Sequence, residues 1–324
     1  MNHFFQVLRE VLITYLNGHR GGLLPHKEDE RDLQFGSLFG FLAYQPKHEV
    51  FELPTISIKS QNPFNTCVWN SAVAQKEVDE KVPLSVKFFV DAAKAKGRLW
   101  GNGFAYLRDA QITLCDTGVC EEALCPDVKT SWDTYSSNQS LSYTNSANAT
   151  LHKSSRYFAV RTKDEILKAL DDGHAVQTGF MWFSGYNNAG SAPLVIGSGR
   201  QVGGHAVLLK GYDMKKGLFK FQNSFGKDYG DNGHFYVRMG DWLKLGTTGY
   251  VSVDIDNASL FAIYEGKDVK SDTSPAIFRV ENGMKRVYPN EKIFFKYGGK
   301  FNPKTWVPIA NSILNSIPDG QPMA

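Results

Sequence analysis

GGHAVLLKGYDMKKGLFKFQNSFGKDYGDNGHFYV, residues 203–237, alternates apolar runs with Gly, Asp, Asn and Lys. The runs Ala206–Tyr212, Leu218–Gln222 and His234–Arg238 have the length and composition of strands, and the breaks between them are turn-like. Ala175–Phe183 and Tyr250–Ile255 extend the series on either side. Upstream the period changes. Val68, Ala72 and Val73 begin an apolar helical face that runs to about Val78, with Thr66 as N-cap and Cys67 in the first turn. Ser85 caps a second helix (Val86, Phe89, Val90, Ala93) that Gly97 ends. Thr162 and Glu165 form a capping box ahead of Ile166, Leu167 and Leu170, and Gly173 closes that helix. Helices first and strands afterwards predict an α+β fold in which the helix bearing Cys67 packs on an antiparallel sheet.

Three separated stretches carry groups of one chemistry. Gln61 and Cys67 lie in SQNPFNTCVW, His205 in GGHAVLLKGY, and Asn223 in FQNSFGKDYGDNGHF. A thiol, an imidazole, an amide to orient the imidazole and a second amide as oxyanion donor make a cysteine nucleophile machine. A thiol at a helix N-terminus faces partial positive charge, which favours the anion. Taken singly each residue is ordinary: a buried Cys is usually a small hydrophobe, and an Asn after a strand is usually a turn residue.

The flanking residues make the set specific, and the chain resembles a papain-like cysteine peptidase. Gln61 precedes Cys67 by six, as in the family's Q-x5-C. GGHAVLLKGYD is similar to G-H-A-V-x-x-V-G-Y, and NSFGKDYGDNGHFYV to N-S-W-G-x-x-W-G-x-x-G-Y-F. Cys, His and Asn also come in the family's order. The resemblance covers roughly residues 27–265 and implies a helical N-terminal half and a β-barrel-like C-terminal half with a cleft between them. It makes Cys67 the nucleophile, His205 the general base and later acid, Asn223 the orienter and Gln61 the oxyanion donor beside the Cys67 N–H. Phe225 takes the place of the aromatic that shields the His–Asn bond, and Tyr229 that of the tryptophan on the leaving-group side. Gly204 lines the pocket next to the scissile residue, and Gly103, in GNGFAYLRDA, is the glycine that pairs with extended substrate. The pattern departs in FNTCVW. Phe64 stands where the family has a disulfide cysteine, and Val68 displaces the following tryptophan to Trp69, a further substrate-side candidate.

That reading implies an endopeptidase with polypeptide substrates and neither metal nor organic cofactor. Two rivals share the residues: an amidase or transpeptidase acting on cell-wall peptide, and a catalytically silent peptide-binding protein. Net charge is only +3 over 324 residues, with 42% hydrophobic and 21% charged, so no global field argues for nucleic acid or an anionic membrane. Phe4 to Leu16 is broken by Arg9 and Glu10 and lacks a small-residue cleavage site, which argues against a signal peptide or membrane span and for cytoplasmic synthesis, with virion association if the gene is a phage's. Phe4, Leu8, Val11 and Tyr15 recur at helical spacing, fitting either a helix docked on the core or a prosegment over the cleft. Cys115, Cys120 and Cys125 are spaced C-x4-C-x4-C, looser than the usual zinc pairs, and read as buried thiols or one disulfide.

The expected organisation is an N-terminal leader over 1–50 and a peptidase domain over 51–265; PHKEDERDLQF (25–35), followed by ELPTISIKSQ (52–61), resembles the short lead-in of bacterial, archaeal and phage members. A linker follows over 266–275, then a small module over 276–324. Within the peptidase domain, residues 127–155 are rich in Ser, Thr and Asn and read as a long surface loop. Residues 276–324 resemble a module appended to bacterial extracellular and phage proteins, and could carry a partner contact.

Overall fold

The computed structural model describes residues 21–25, 29, 32–36, 44–245, 248–254, 261–262, 264–271, 274–299, 306–309, 314–315 and 317–324. The helix expected over Phe4 to Leu16 lies outside them. The chain divides into two units: residues 1–28 with 43–253, and residues 29–42 with 254–324.

In the first unit, β1 (Val50–Glu52) leads to α1 (Cys67–Glu80), and every residue of α1 from Cys67 to Val78 is buried. The sequence shows one apolar face on this helix, yet its polar face is buried too, and most of its polar groups meet partners. The Gln75 side-chain NH2 donates to the carbonyls of Ala175 and Tyr250 (both 2.8 Å). The Lys76 ammonium donates to the Lys153 carbonyl (3.0 Å) and pairs with Glu80. Glu77 pairs with Lys59 (3.0 Å) and accepts the Leu84 N–H (2.9 Å). From Gln111 a chain of amides runs to Gln75 and Gln177, and Gln177 donates to the Val68 carbonyl at 2.8 Å. The first turn of α1 is thereby tied to the sheet by hydrogen bonds as well as by packing.

Helices α2 (Val86–Ala95), α3 (Leu107–Asp116), α4 (Trp132–Tyr135) and α5 (Tyr143–Leu151) follow. Ser85 caps α2 as expected, accepting the Phe88 N–H at 3.0 Å. The polar stretch 127–155, expected to be loop, contains α4 and α5. Ser131 and Ser142 start them by accepting N–H groups of Thr134 and Asn145, so local caps replace an apolar face. Next come β2 (Arg156–Val160), α6 (Lys163–Asp171) with the Thr162/Glu165 capping box, β3 (Val176–Phe183), β4 (Gln201–Asp213), β5 (Leu218–Gln222), β6 (His234–Arg238), α7 (Met239–Leu245) and β7 (Gly249–Val253). The sheet order is β2-β7-β3-β4-β5-β6 with β1 also on β4, all antiparallel. The order does not close into a barrel among the described residues. Helix α1 and strand β4 share one core: Cys67, Val68, Trp69 and Ala72 pack in the same buried cluster as Ala206.

The second unit has a four-stranded sheet, β10 (Met284–Val287), β9 (Ile277–Glu281), β8 (Asp268–Lys270) and β11 (Val307–Pro308), in that order. The expected linker 266–275 is therefore partly sheet: Val269 is buried between charged neighbours and pairs with Phe278 of β9. Asn290 caps α8 (Glu291–Lys296), which adds Phe294 to a small core with Ile277, Tyr288 and Met323. No helix among the described residues is long and apolar enough to cross a membrane.

Candidate active site

Cys67 opens α1, and its sulfur accepts two backbone N–H groups, from Gly22 at 3.0 Å and from Ala206 at 3.4 Å. The second contact fixes the partner element, because Ala206 directly follows His205 on β4, where His205 is held in register opposite Phe180 of β3. His205 Nε2 lies 2.7 Å from Asn223 Oδ1. An amide oxygen only accepts, so Nε2 carries the hydrogen, and in the neutral ring Nδ1 holds the lone pair. The Asn223 oxygen is itself oriented by the Ser224 N–H (2.8 Å), and the Asn223 backbone by the Gly233 carbonyl (2.9 Å). Phe225 stacks on the His205 ring, with centroids 4.7 Å apart.

Gln61 reaches the same place through a short antiparallel ladder. Its N–H donates to the Ser224 carbonyl (2.8 Å), the Gly226 N–H donates to the Lys59 carbonyl (3.1 Å), and Ser60 bridges Phe225. The Gln61 side chain is fully buried. Its oxygen accepts the Ser224 hydroxyl (2.7 Å), and one hydrogen of its NH2 goes to the Phe64 carbonyl (3.1 Å). The amide face is thus assigned by its neighbours, with NH2 on the side of the loop that leads into Cys67.

The remaining expected residues are distributed as follows. The Gly204 carbonyl accepts the Leu23 N–H (3.2 Å), and a Cβ on Gly204 would sit 2.4 Å from the Leu23 carbonyl oxygen. Tyr229 is buried edge-on to Phe225 and donates its hydroxyl to the Tyr186 carbonyl (2.9 Å). Trp69 is fully buried, so it shapes the wall from behind: its indole N–H donates to the Gly103 carbonyl at 3.0 Å. The Gly103 N–H is also engaged, by Trp100. Ala105, two residues on, pairs with the segment 21–25, donating to the Gly22 carbonyl and accepting the Leu24 N–H, both at 2.9 Å. Trp182 of β3 belongs to the same wall without any motif to mark it. It stands 4.6 Å from the His205 ring and 5.7 Å from Phe225, completing the aromatic wall. Backbone pairing leaves no mark on side-chain identity, and one Trp in an apolar strand looks like core.

The family described as papain family cysteine protease matches residues 64–256, more than half of the chain. The chain belongs to the papain family of cysteine proteases. It is therefore a hydrolase of the cysteine peptidase type. Among solved structures it is similar to xylellain, a cysteine protease from Xylella fastidiosa, with 22% identity over 73% of this chain and 96% of that one and a TM-score of 0.61. It is also similar to procathepsin L 3 of the Tenebrio molitor larval midgut (16%, 76% and 79%, TM-score 0.57) and to proCathepsin B S9 from Trypanosoma congolense (14%, 75% and 89%, TM-score 0.55). No curated protein matches the chain.

In this papain-family protease the thiol departs from the ionised state expected at a helix start. Burial pushes Cys67 up to about 11, outweighing the backbone N–H groups of Ala206, Gly22, Val68 and Cys67 that pull it down. The segment 21–25 takes part in that burial. Leu23 runs parallel to Ala105, and the Gly22 carbonyl is turned to the Ala105 N–H, so Gly22 presents its donor hydrogen to the sulfur. Gly22 is required there: a Cβ would meet the Asn65 carbonyl oxygen at 1.7 Å.

Proposed function

We propose that the protein is an endopeptidase that cleaves polypeptides through an acyl-thioenzyme and is held latent by its N-terminal leader. The observation that carries the reading is the 2.7 Å bond from His205 to Asn223, on the strand residue beside the one whose N–H touches the Cys67 sulfur. In this mechanism His205 Nδ1 takes the thiol proton and the thiolate attacks the substrate carbonyl carbon. The oxyanion is stabilised by the Cys67 N–H and the Gln61 NH2. His205 then returns the proton to the departing amine, and water attacks the thioester by the same route reversed. Gly204 and Ala105 offer substrate the backbone groups that residues 22–24 now use, and Phe225, Tyr229 and Trp182 keep the imidazole dry.

The experiment is digestion of casein against purified cell wall by a chain starting at Tyr44, with labelling by a thiol-directed epoxide. Tyr44 is the natural start, since its hydroxyl and the Lys47 N–H bond Asp171 (2.9 and 2.7 Å) and anchor the chain there. Casein cleavage with label on Cys67 is expected. Attack on cell wall alone would overturn the endopeptidase reading, and no label would overturn the catalytic one. In the same chain Gln61→Ala should lower turnover by on the order of 10²-fold, the usual worth of one oxyanion donor, and should also lower the unfolding temperature, because the buried Ser224 hydroxyl and Phe64 carbonyl lose their partner.

Latency makes a separate prediction for the full-length protein. With the thiol at about 11, only about 10⁻⁴ of Cys67 is thiolate at pH 7, so its alkylation by iodoacetamide should be slow there and rise with pH toward that value. Gly22→Ala cannot keep residue 22 against Asn65. It should raise both alkylation at pH 7 and hydrolysis of a small fluorogenic peptide by roughly tenfold or more, since each ~1.4 kcal/mol of lost restraint changes the open fraction tenfold. Unchanged rates in a folded Gly22→Ala protein would make the segment scaffold and nothing more.

A further inference from the structure

Cys120 and Cys125 stand apart from the catalytic residues. Val119–Glu122 runs beside the entry to α2: Ser85 donates its N–H to the Cys120 carbonyl (2.8 Å), Glu122 donates to the Pro83 carbonyl (2.9 Å), and Leu84 bridges Glu121. The chain then turns back, with the N–H groups of Leu124 and Cys125 both directed to the Glu121 carbonyl (3.1 and 3.3 Å). That turn returns Cys125 to Cys120, and the two share a small buried cluster with Phe88, Ala92 and Ala149. Both thiols lie beneath the start of α2, close to each other and to Ser85.

From this turn we infer that Cys120 and Cys125 are a dithiol pair that a hydroperoxide oxidises to an intramolecular disulfide. The roles are unequal. Cys120 is fully buried and Cys125 is 8% exposed, beside the exposed Leu124, so an oxidant from solvent meets Cys125 first. The neighbouring Cys120 thiol, the Ser85 hydroxyl and the Lys87 charge favour the thiolate on Cys125 against burial and the Asp91 charge, while the neighbouring Cys125 and burial hold the Cys120 proton in place. The Cys125 thiolate attacks one peroxide oxygen, the O–O bond breaks, and hydroxide leaves as water after taking a proton. Cys125 becomes a sulfenic acid. The Cys120 sulfur then attacks the Cys125 sulfur, the S–O bond breaks, a second water leaves and the S–S bond forms. Two thiols are oxidised and one hydroperoxide is reduced.

Cys115 provides an internal control. It lies five residues before Cys120, on α3, and trypsin places all three cysteines in one peptide, Asp109 to Lys129. The full-length protein is treated with a small excess of hydrogen peroxide, blocked with iodoacetamide and digested. The expected peptide has lost two hydrogens and carries one label, on Cys115, and dithiothreitol before blocking restores three labels. Oxidised protein should also unfold at higher temperature than reduced protein, because the bond restricts the unfolded chain, and Cys125→Ser should abolish that difference. Three labels after oxidation, a bond that includes Cys115, or conversion of Cys125 to sulfinic acid without loss of the Cys120 thiol would each overturn the assignment. The catalytic thiol is not a reporter in any of these measurements.

Discussion

Replacing Cys67 by alanine in the chain starting at Tyr44 is expected to lower peptide hydrolysis by on the order of 10⁶-fold, the scale seen when a nucleophile is removed from a working constellation. Labelling by an epoxide should vanish with it. The fold should survive, since the helix around position 67 is held by Gln177, Gln75, Lys76 and Glu77, none of which bonds the sulfur. Near-identical circular dichroism and thermal unfolding would show that. Cys115, Cys120 and Cys125 replaced by serine should leave turnover intact. Substantial hydrolysis by a folded Cys67→Ala protein would remove the thiol from the chemistry.

His205→Ala should cost nearly as much, because no other described imidazole stands on the strand residue beside the sulfur's N–H partner. Asn223→Ala separates orientation from reaction. Without Oδ1 the ring loses its 2.7 Å partner but keeps Phe225 and Trp182 on its faces, so part of the population still presents Nδ1 correctly. Its loss of turnover should be smaller than that of His205→Ala by roughly tenfold or more, since the orienter does not itself react. Steady-state hydrolysis of one fluorogenic peptide by both variants checks the order. Equal and small effects would mean a structural cluster.

Much of this was readable in the residues. Caps at Ser85 and Thr162, the Gly97 and Gly173 stops and the strand runs from Leu218 and His234 appear where spacing puts them, because a cap or a period-2 run is set by neighbours in sequence. Gln61, Cys67, His205 and Asn223 were legible as a group because fixed offsets carry them, and the structure brings their elements together. What escaped depends on distant partners. Helices α4 and α5 have serine caps but no long apolar stripe, and β8 is three residues with a single buried side chain, too short for a period to show. Ala105 acts through its backbone, which any residue supplies. The thiol was expected to be ionised from its place at a helix start, and burial beneath a segment some forty residues upstream reverses that sign.

The second unit draws residues 29–42 and 254–324, so that along the sequence it is interrupted by residues 43–253 of the first unit. A polypeptide is made from its N-terminus, so every residue of the catalytic unit exists once position 253 has been added. Residues 29–42 are by then long synthesised, yet most of their own unit has still to emerge. The second unit is therefore begun before the first is finished, and can be completed only after it. A stop codon after position 253 would not trim an appendage: it would leave residues 29–42 without the unit to which they belong.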